Sequence, residues 1–457
     1  MVDAVRKLSA ALDRPLDLAS LALFRIAFGL AMLVLCARFV SHGWIEAEYL
    51  APRHFFHYWG FEWVKPWPGL GTYAHPALGM YLHYAVMTGA AACIALGIAY
   101  RPACLLFTLS FSYAHLCDKA NYLNHYYLIS LVSALMTLMP LDREASLRVY
   151  FAPAERRSSA RAWALYLLRF QIAVVYVFGG IGKLGRDWLW HAEPLRIWLS
   201  ANVELPVLGR FFEQRSVALA FSWAGLIFDL SVVPLLLWPR TRRPAYVVVV
   251  VFHALTALLF KIGMFPWLMM LSATLFFDPG WPRPLLDRFL AARPPKIRDD
   301  EPRFGAYKLL ALSLYVAVQV LLPLRHLLYP GNTLWSEEGF RFAWRVMLIE
   351  KSGELELNVV DRRGRRRVVS PRRYLTAFQA RMAATQPDMI LELAHIVARD
   401  FERRGVGPVQ VFADARVSFN GRPSAPLIAP TADLAQLHDG FSHKPWILPA
   451  PTAEPEF

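Results

Sequence analysis

Nine apolar runs dominate this sequence and restrict what it can fold into. A run of roughly 20 apolar residues marks a membrane-spanning helix, because the hydrocarbon core of a bilayer is about 30 Å thick. The third, fourth and eighth runs are short for that thickness, so they tilt little, extend into their flanks or are partly re-entrant. The sequence therefore predicts eight or nine membrane spans. The runs cover residues 18–40, 77–99, 103–117, 126–139, 162–184, 217–238, 245–260, 266–277 and 306–328.

The composition indicates that part of the chain lies outside the membrane. Of 457 residues, 56% are apolar and 18% are charged, and the mean hydropathy is +0.33. This mixture is typical of a polytopic membrane protein with a soluble part. We predict a mainly α fold, in which a membrane helix bundle precedes a small C-terminal α+β domain. The predicted division is an N-terminal segment (1–17), a transmembrane domain (18–328), the α+β domain (329–450) and a disordered tail (451–457).

The residues after the last apolar run alternate between strand and helix patterns. Residues 354–360 and 366–369 flank Asp-Arg-Arg-Gly, which is a plausible hairpin turn. Residues 374–384 and 389–404 space their apolar side chains as helices do, and residues 409–419 predict another strand. About 120 residues of this kind can form a modest hydrophobic core.

Basic residues predict the orientation in the membrane. With nine spans and a cytoplasmic N-terminus, the inside segments hold 18 Lys and Arg and the outside loops hold 8. This asymmetry follows the positive-inside rule and places the C-terminal domain outside. The net charge of +14 thus relates to membrane orientation and not to nucleic acid. Arginine, alanine, proline and leucine abundance suggests a bacterial inner-membrane protein. The four cysteines show neither zinc-site nor disulfide spacing.

Lys183 stands at the end of the fifth apolar run. The chain has nine lysines against forty arginines, so an ammonium group at this place is notable. An ionisable group at the edge of a span suggests a functional site, and burial can turn lysine into a neutral amine that accepts a proton. Snorkelling of the side chain to the lipid headgroups is an equal alternative from position alone.

Other polar residues fall on the same predicted side of the membrane. Asp118, Asn124, His125, Lys183 and His253 could face one outward-opening cavity. Each also has a simpler interpretation. Asn124 could cap a helix, His253 could form an interhelical hydrogen bond, and Asp118 could be a solvated loop charge, as could the adjacent lysine. Their clustering is the reason to treat them as a site.

Four stretches make the sequence recognisable. In the present chain they cover residues 118–128, 171–188, 252–265 and 339–348, and their order and spacing are specific. The chain resembles the vitamin K-dependent γ-glutamyl carboxylases and the bacterial membrane proteins that share their HTTM-type transmembrane domain. The likeness runs from about residue 18 to residue 430.

The resemblance implies a lyase that oxidises a vitamin K hydroquinone with O₂ to the epoxide and uses the base so formed to carboxylate glutamyl residues with CO₂. It assigns Lys183 as the base that deprotonates the hydroquinone, with His125 as the second catalytic residue. The implied substrate- or quinol-binding residues are Asn124, His253, Asp118, Lys119, Tyr176 and Trp188. Animal enzymes carry two adjacent lysines where this chain has Gly182 and Lys183, so Lys119 or desolvation would have to lower the pKa of the base.

The implied co-substrates are reduced vitamin K of the menaquinol or phylloquinol type, O₂ and CO₂, without a metal. The implied partners are membrane lipid, quinol and a glutamyl protein or peptide, with no nucleic acid. Two alternatives remain. One is an epoxidase that does not carboxylate. The other is a non-catalytic quinone-binding or transport protein, although no inverted repeat is visible in the sequence.

Overall fold

The computed structural model describes residues 2–68, 78–289 and 305–455. Within these ranges the chain is mainly helical, and each of the nine apolar runs contains a helix. The helices are α1 (Val2–Asp13), α2 (Ala19–Ser41), α3 (Leu78–Leu96), α4 (Tyr100–Leu116), α5 (Asn124–Leu138), α6 (Leu147–Phe151), α7 (Ala162–Gly182), α8 (Leu195–Ser200), α9 (Arg215–Leu237), α10 (Arg242–Leu259), α11 (Phe265–Ala273), α12 (Arg283–Phe289), α13 (Ala306–Leu324), α14 (Thr333–Ser336), α15 (Ala377–Ala383) and α16 (Pro387–Arg403).

Six helices in the described part of the chain are long and apolar enough to cross a membrane: α2, α3, α7, α9, α10 and α13 with its 3₁₀ extension. The predicted eight or nine spans are therefore not confirmed. The three remaining runs form α4, α5 and α11, with 17, 15 and 9 residues. At 1.5 Å per residue, α4 and α5 reach only about 25 and 22 Å, which is shorter than the hydrocarbon core.

The first four membrane-domain helices pack in chain order, with α2 against α3, α3 against α4 and α4 against α5. Close approach of α2 and α3 depends on Gly29, where an added Cβ would lie 2.5 Å from the backbone nitrogen of Ala95. The second half is built around α7, which contacts α5, α9, α11 and α13. One continuous core of buried apolar residues joins the two halves.

The C-terminal domain contains a four-stranded antiparallel sheet of β3 (Lys351–Val360), β4 (Arg366–Val369), β5 (Gln410–Phe419) and β6 (Ala425–Pro426), in the order β4-β3-β5-β6. Its central strands pair along their full length, so that Lys351 lies opposite Phe419 and Val360 opposite Gln410. The amphipathic helix α16 packs on β5 and buries its apolar face in a second hydrophobic core. The predicted α+β character is thereby confirmed. Before this domain in the chain, β1 (Pro15–Asp17) pairs with β2 (Ser159–Arg161) in a small two-stranded antiparallel sheet.

Residues 339–348 and the chain end attach the C-terminal domain to the membrane helices. Trp344 is fully buried in the membrane-domain core and stacks on Tyr127, with 4.9 Å between ring centroids. Within the predicted tail, Glu454 lies 2.8 Å from His191 and 3.2 Å from Arg186, and residues 456–457 of that tail lie outside the described residues. The two domains are therefore tied together at several points.

Candidate active site

Lys183 forms a buried ion pair with Asp229. Its Nζ donates to Oδ2 of Asp229 at 2.7 Å and to the carbonyl oxygen of Gly179 at 3.2 Å. The ammonium also lies 5.2 Å from the ring centroid of Trp188. Lys183 is the C-cap residue of α7, directly after Gly182, and its side chain is 8% exposed. These contacts argue against snorkelling, because the side chain turns back along its helix toward a carboxylate and not toward headgroups.

Two adjacent glycines bring α9 close enough for this pair to form. An added Cβ at Gly179 would lie 3.4 Å from Oδ2 of Asp229, and one at Gly180 would lie 2.5 Å from Cδ2 of Leu230. A Cβ at Gly180 would require the Leu230 side chain to shift, whereas one at Gly179 would come into van der Waals contact with the carboxylate of Asp229. The two glycines therefore allow α9 to approach α7 closely beside the Lys183–Asp229 pair.

The ion pair lies in the wall of a cavity of about 380 Å³ that we call the lysine chamber. Its remaining surface is largely apolar and aromatic, which suits a flat, uncharged ring better than a polar metabolite. Gly225 on α9 contributes to this space, and Trp188 is fixed beside it by donating Nε1–H to the carbonyl oxygen of Ser222 at 2.7 Å. The lining includes Val175, Tyr176, Trp188, Phe221, Phe252, Leu259, Phe260, Phe265 and Met269.

His253 and Tyr176 form the second polar feature of the lysine chamber. Nε2 of His253 and the hydroxyl of Tyr176 are 3.0 Å apart, and both side chains are buried. Nδ1 of His253 is buried without a hydrogen-bond partner among the described residues. A buried polar atom without a partner is costly, so this nitrogen is available to a bound molecule. The structure thus brings Lys183, His253, Tyr176 and Trp188 together.

Asn124 and His125 line a different, adjacent cavity of about 730 Å³, which we call the histidine chamber. Asn124 accepts from the hydroxyl of Tyr122 at 3.1 Å and donates to the carbonyl oxygen of Arg345 at 3.3 Å. The ring of His125 is buried and forms no hydrogen bond within the described part of the chain. The single cavity expected from the sequence is therefore two chambers.

The wall between the chambers is one residue thick at Phe265. The ring centroid of Phe265 lies 6.2 Å from that of His125 and 6.1 Å from that of His253. Phe260, Ile262, Val346 and Met347 also border both spaces. Since Val346 and Met347 belong to the segment that descends from the C-terminal domain, that domain completes the partition.

This descending segment has a strained backbone. Phe342, Trp344 and Met347 have φ of +60°, +55° and +56°, a conformation that bulky L residues rarely adopt. Such strain persists only where the surroundings enforce it, and it concentrates at functional sites. Here the backbone N–H of Phe342 donates to the hydroxyl of Tyr122 at 2.7 Å, which helps to fix the segment.

Asp118 lies in neither chamber, contrary to the expectation that it faces the cavity. Its Oδ2 accepts from Gln379 of α15 at 2.7 Å, and its Oδ1 accepts from the backbone N–H of Ala120 at 2.9 Å. Burial raises the pKa of Asp118 to about 6, against the effect of these hydrogen bonds. This carboxyl connects the loop after α4 to the C-terminal domain.

Lys119 is likewise held at the domain junction. Its Nζ lies 3.1 Å from Asp388 and 3.2 Å from Glu392, both on α16. Burial opposes the charged form of Lys119, but these two carboxylates outweigh it and raise its pKa. Since Lys119 is fully committed to α16, it is not the neighbour that tunes Lys183.

Sequence reasoning missed Asp229, which is the direct partner of Lys183. A signal was present, because Asp229 is the sole acidic residue in the apolar run 217–238, and a carboxylate inside a span is costly unless paired. No feature of the sequence indicated that Phe265, Val346 and Met347 would form a wall shared by two cavities. Among the described residues, no group of three or more His, Cys, Asp or Glu could hold a metal ion.

Comparison with known proteins agrees with this architecture. Residues 13–281 match the HTTM domain, and residues 305–453 match the lumenal domain of vitamin K-dependent gamma-carboxylase. No solved structure matches the chain. The first match covers more than half of the sequence, and the second follows it in the order that the two domains occupy here. The chain therefore belongs to the vitamin K-dependent gamma-carboxylase family and is a carboxylase-like integral membrane protein.

Proposed function

We propose that this protein oxidises a vitamin K-type hydroquinone with O₂ to the epoxide in the lysine chamber, and couples that reaction to γ-carboxylation of glutamyl residues with CO₂. The observation that carries the proposal is the Lys183–Asp229 pair in the wall of an otherwise apolar cavity. A buried amine beside a carboxylate can move a phenolic proton, and an aromatic cavity can hold the ring that carries it.

The chamber fits a hydroquinone by shape and by polarity. Aromatic side chains supply flat apolar surfaces, and the polar atoms of Lys183, His253 and Tyr176 are available for phenolic oxygens. When bound, the hydroquinone supplies the ring whose oxidation by O₂ generates a strong base. The chain supplies orientation and the exclusion of water, without which such a base would be quenched.

Asp229 supports Lys183 as the proton acceptor. In the ion pair the lysine is held as an ammonium, so it accepts a phenolic proton only as it passes one of its own to the carboxylate. The O–H bond of the phenol breaks, an N–H bond forms at Lys183, and a proton ends on Oδ2 of Asp229. Lys183 remains positively charged beside the phenolic oxygen and stabilises its negative charge. No second lysine is required, so Gly182 is compatible with this scheme.

The orientation also belongs to the proposal. A C-terminal domain on the outer side of a bacterial inner membrane, with the N-terminus in the cytoplasm, requires an odd number of crossings. The six long helices give an even number, and α4 with α5 adds a pair. The short α11 and its 3₁₀ extension to Phe276 must then provide the remaining crossing. Cysteine accessibility on both sides of α11 tests this arrangement.

The test of the lysine assignment is epoxide formation in membranes that contain the protein, reduced menaquinone and O₂. Lys183→Ala should abolish the product. Lys183→Arg keeps a cation beside Asp229 but cannot release a proton at accessible pH, so it should also be inactive. Lys65→Ala, at an exposed lysine outside both chambers, is the matched control and should retain wild-type activity.

Activity in Lys183→Arg would show that charge alone suffices and would exclude proton acceptance by Lys183. Absence of epoxide from the wild-type protein would contradict the epoxidase proposal. Carboxylation is measured separately, by incorporation of labelled bicarbonate into a glutamyl peptide. Epoxide without that incorporation would favour an epoxidase that does not carboxylate.

A further inference from the structure

The histidine chamber contains two cations without an anionic partner. The guanidinium of Arg38, near the end of α2, forms no hydrogen bond or ion pair within the described part of the chain, and its Nε is buried. It lies 5.5 Å from the ring centroid of Trp44. Lys261, in the loop between α10 and α11, is an exposed lysine that lines the same chamber and forms no ion pair among the described residues. A half-buried cation is normally paired, so the unpaired guanidinium of Arg38 favours an anion in this chamber, and the exposed Lys261 adds positive charge at its edge.

The other polar groups of the chamber do not neutralise these cations. Glu48 lines the same space, and its Oε2 is buried without a hydrogen-bond partner among the described residues. Burial, followed by the charge of Asp118, raises the pKa of Glu48 to about 8. The group is therefore mainly protonated at neutral pH and can donate a hydrogen bond. His42, Asn124 and His125 complete the polar lining.

These features suit a carboxylate better than a neutral ligand. Arginine presents paired N–H donors that match the two oxygens of a carboxylate, and lysine adds a second charge. Removing a proton from a carbon next to a carboxylate places a second negative charge directly beside the carboxylate group. Cations that hold the carboxylate reduce this repulsion, so their position bears on the chemistry as well as on binding.

We propose that the histidine chamber is the site of the glutamyl side chain, with Arg38 and Lys261 binding its γ-carboxylate. This inference rests on the proposed function. It places the substrate carboxylate across the one-residue wall at Phe265 from the hydroquinone. In the reaction, the base formed by hydroquinone oxidation removes a proton from Cγ. The electron pair left on Cγ then forms a bond to the carbon of CO₂, which gives a second carboxylate that the same cations hold.

The wall must open for this transfer to occur. Val346 and Met347 border both chambers and belong to the strained segment, so a substrate that displaces them would join the two spaces. Because that segment descends from the C-terminal domain, a peptide that binds in the histidine chamber and displaces the segment would also open the wall.

The experiment measures equilibrium binding of a short fluorescent glutamyl peptide to the purified full-length protein, without hydroquinone. The same peptide with glutamine in place of glutamate is the matched ligand. Arg38→Gln and Lys261→Gln should each weaken binding of the glutamyl peptide by about tenfold or more, as expected for a charge-assisted hydrogen bond. Neither should change binding of the glutamine peptide. Arg372→Gln, at an exposed cation outside both chambers, should bind both peptides as wild type does.

A second measurement distinguishes the glutamyl carboxylate from bicarbonate as the anion. The KM for the peptide should rise in Lys261→Gln while the KM for bicarbonate stays unchanged. The reverse result, or equal binding of the two peptides to the wild-type protein, would overturn the assignment. Arg38→Lys, which retains the charge, should bind better than Arg38→Gln, and this comparison separates charge loss from misfolding. Because the binding assay contains no hydroquinone, failure of the epoxidase proposal would leave its result interpretable.

Discussion

Replacing both members of the Lys183–Asp229 pair should destabilise the protein less than replacing either one. The two side chains are 8% and 11% exposed, and their charged atoms are 2.7 Å apart. Lys183→Met leaves a buried carboxylate without its cation, and Asp229→Leu leaves a buried ammonium without its anion. Each change should cost about 3 kcal/mol of unfolding free energy, the lower end for a buried pair that keeps some exposure.

The double variant removes both charges and leaves apolar groups of similar volume. Its cost should be about 1 kcal/mol, because the loss of attraction is offset by the loss of desolvation. The assay is unfolding by denaturant in mixed micelles, with the coupling energy taken from the double-mutant cycle. Single costs of about 3 kcal/mol each and a double cost of about 1 kcal/mol correspond to a coupling of about 5 kcal/mol for the buried pair.

The exposed pair Arg186–Glu454, with side chains 75% and 55% exposed, is the matched control. Its coupling should be below about 1 kcal/mol, since solvent screens it. Equal couplings at the two sites, or additive costs at Lys183 and Asp229, would refute the reasoning and the close contact on which it depends. All three buried-pair variants should lack epoxidase activity, so the stability order cannot be an indirect effect of catalysis.

Two further predictions concern the fold. Gly29→Ala should destabilise the protein by more than about 1 kcal/mol, because its Cβ would meet the backbone of Ala95. Gly89→Ala, whose Cβ would meet nothing within 4 Å, should instead stabilise α3 by about 0.5–1 kcal/mol. Thermal unfolding of the two variants measures the difference. At the domain junction, burial favours the neutral form of Asp388, but Arg341, 2.7 Å away, outweighs burial and holds its pKa well below the ordinary 3.8. The ionised carboxylate of Asp388 should therefore stabilise the protein above about pH 4, and this stabilisation should be lost as the pH falls below that value. The difference in unfolding free energy between wild type and Asp388→Asn should shrink over that interval.

The membrane character and the type of C-terminal domain were accessible from the sequence. Long apolar runs require helices in a bilayer, since no water is present to satisfy the backbone, and alternating patterns gave the strands now seen as Lys351–Val360 and Gln410–Phe419. The number of crossings was not accessible. Most of the apolar side chains of α5 are buried among other helices, whereas α4 exposes Leu105, Leu106 and Leu109. Apolar composition alone does not separate burial within a protein from contact with lipid.

By itself the sequence indicated which residue types the site contains. An ammonium group and imidazoles in or beside membrane-spanning segments carry a desolvation cost, so their presence there suggests a functional site. Only the tertiary structure decided which of them meet. The Gly179–Gly180 contact with α9 selects Asp229 as the partner of Lys183, while α16 captures Lys119. The ring of Phe265 and the descending segment divide one expected cavity into two. These outcomes depend on distances between helices far apart in the chain, which no local pattern records.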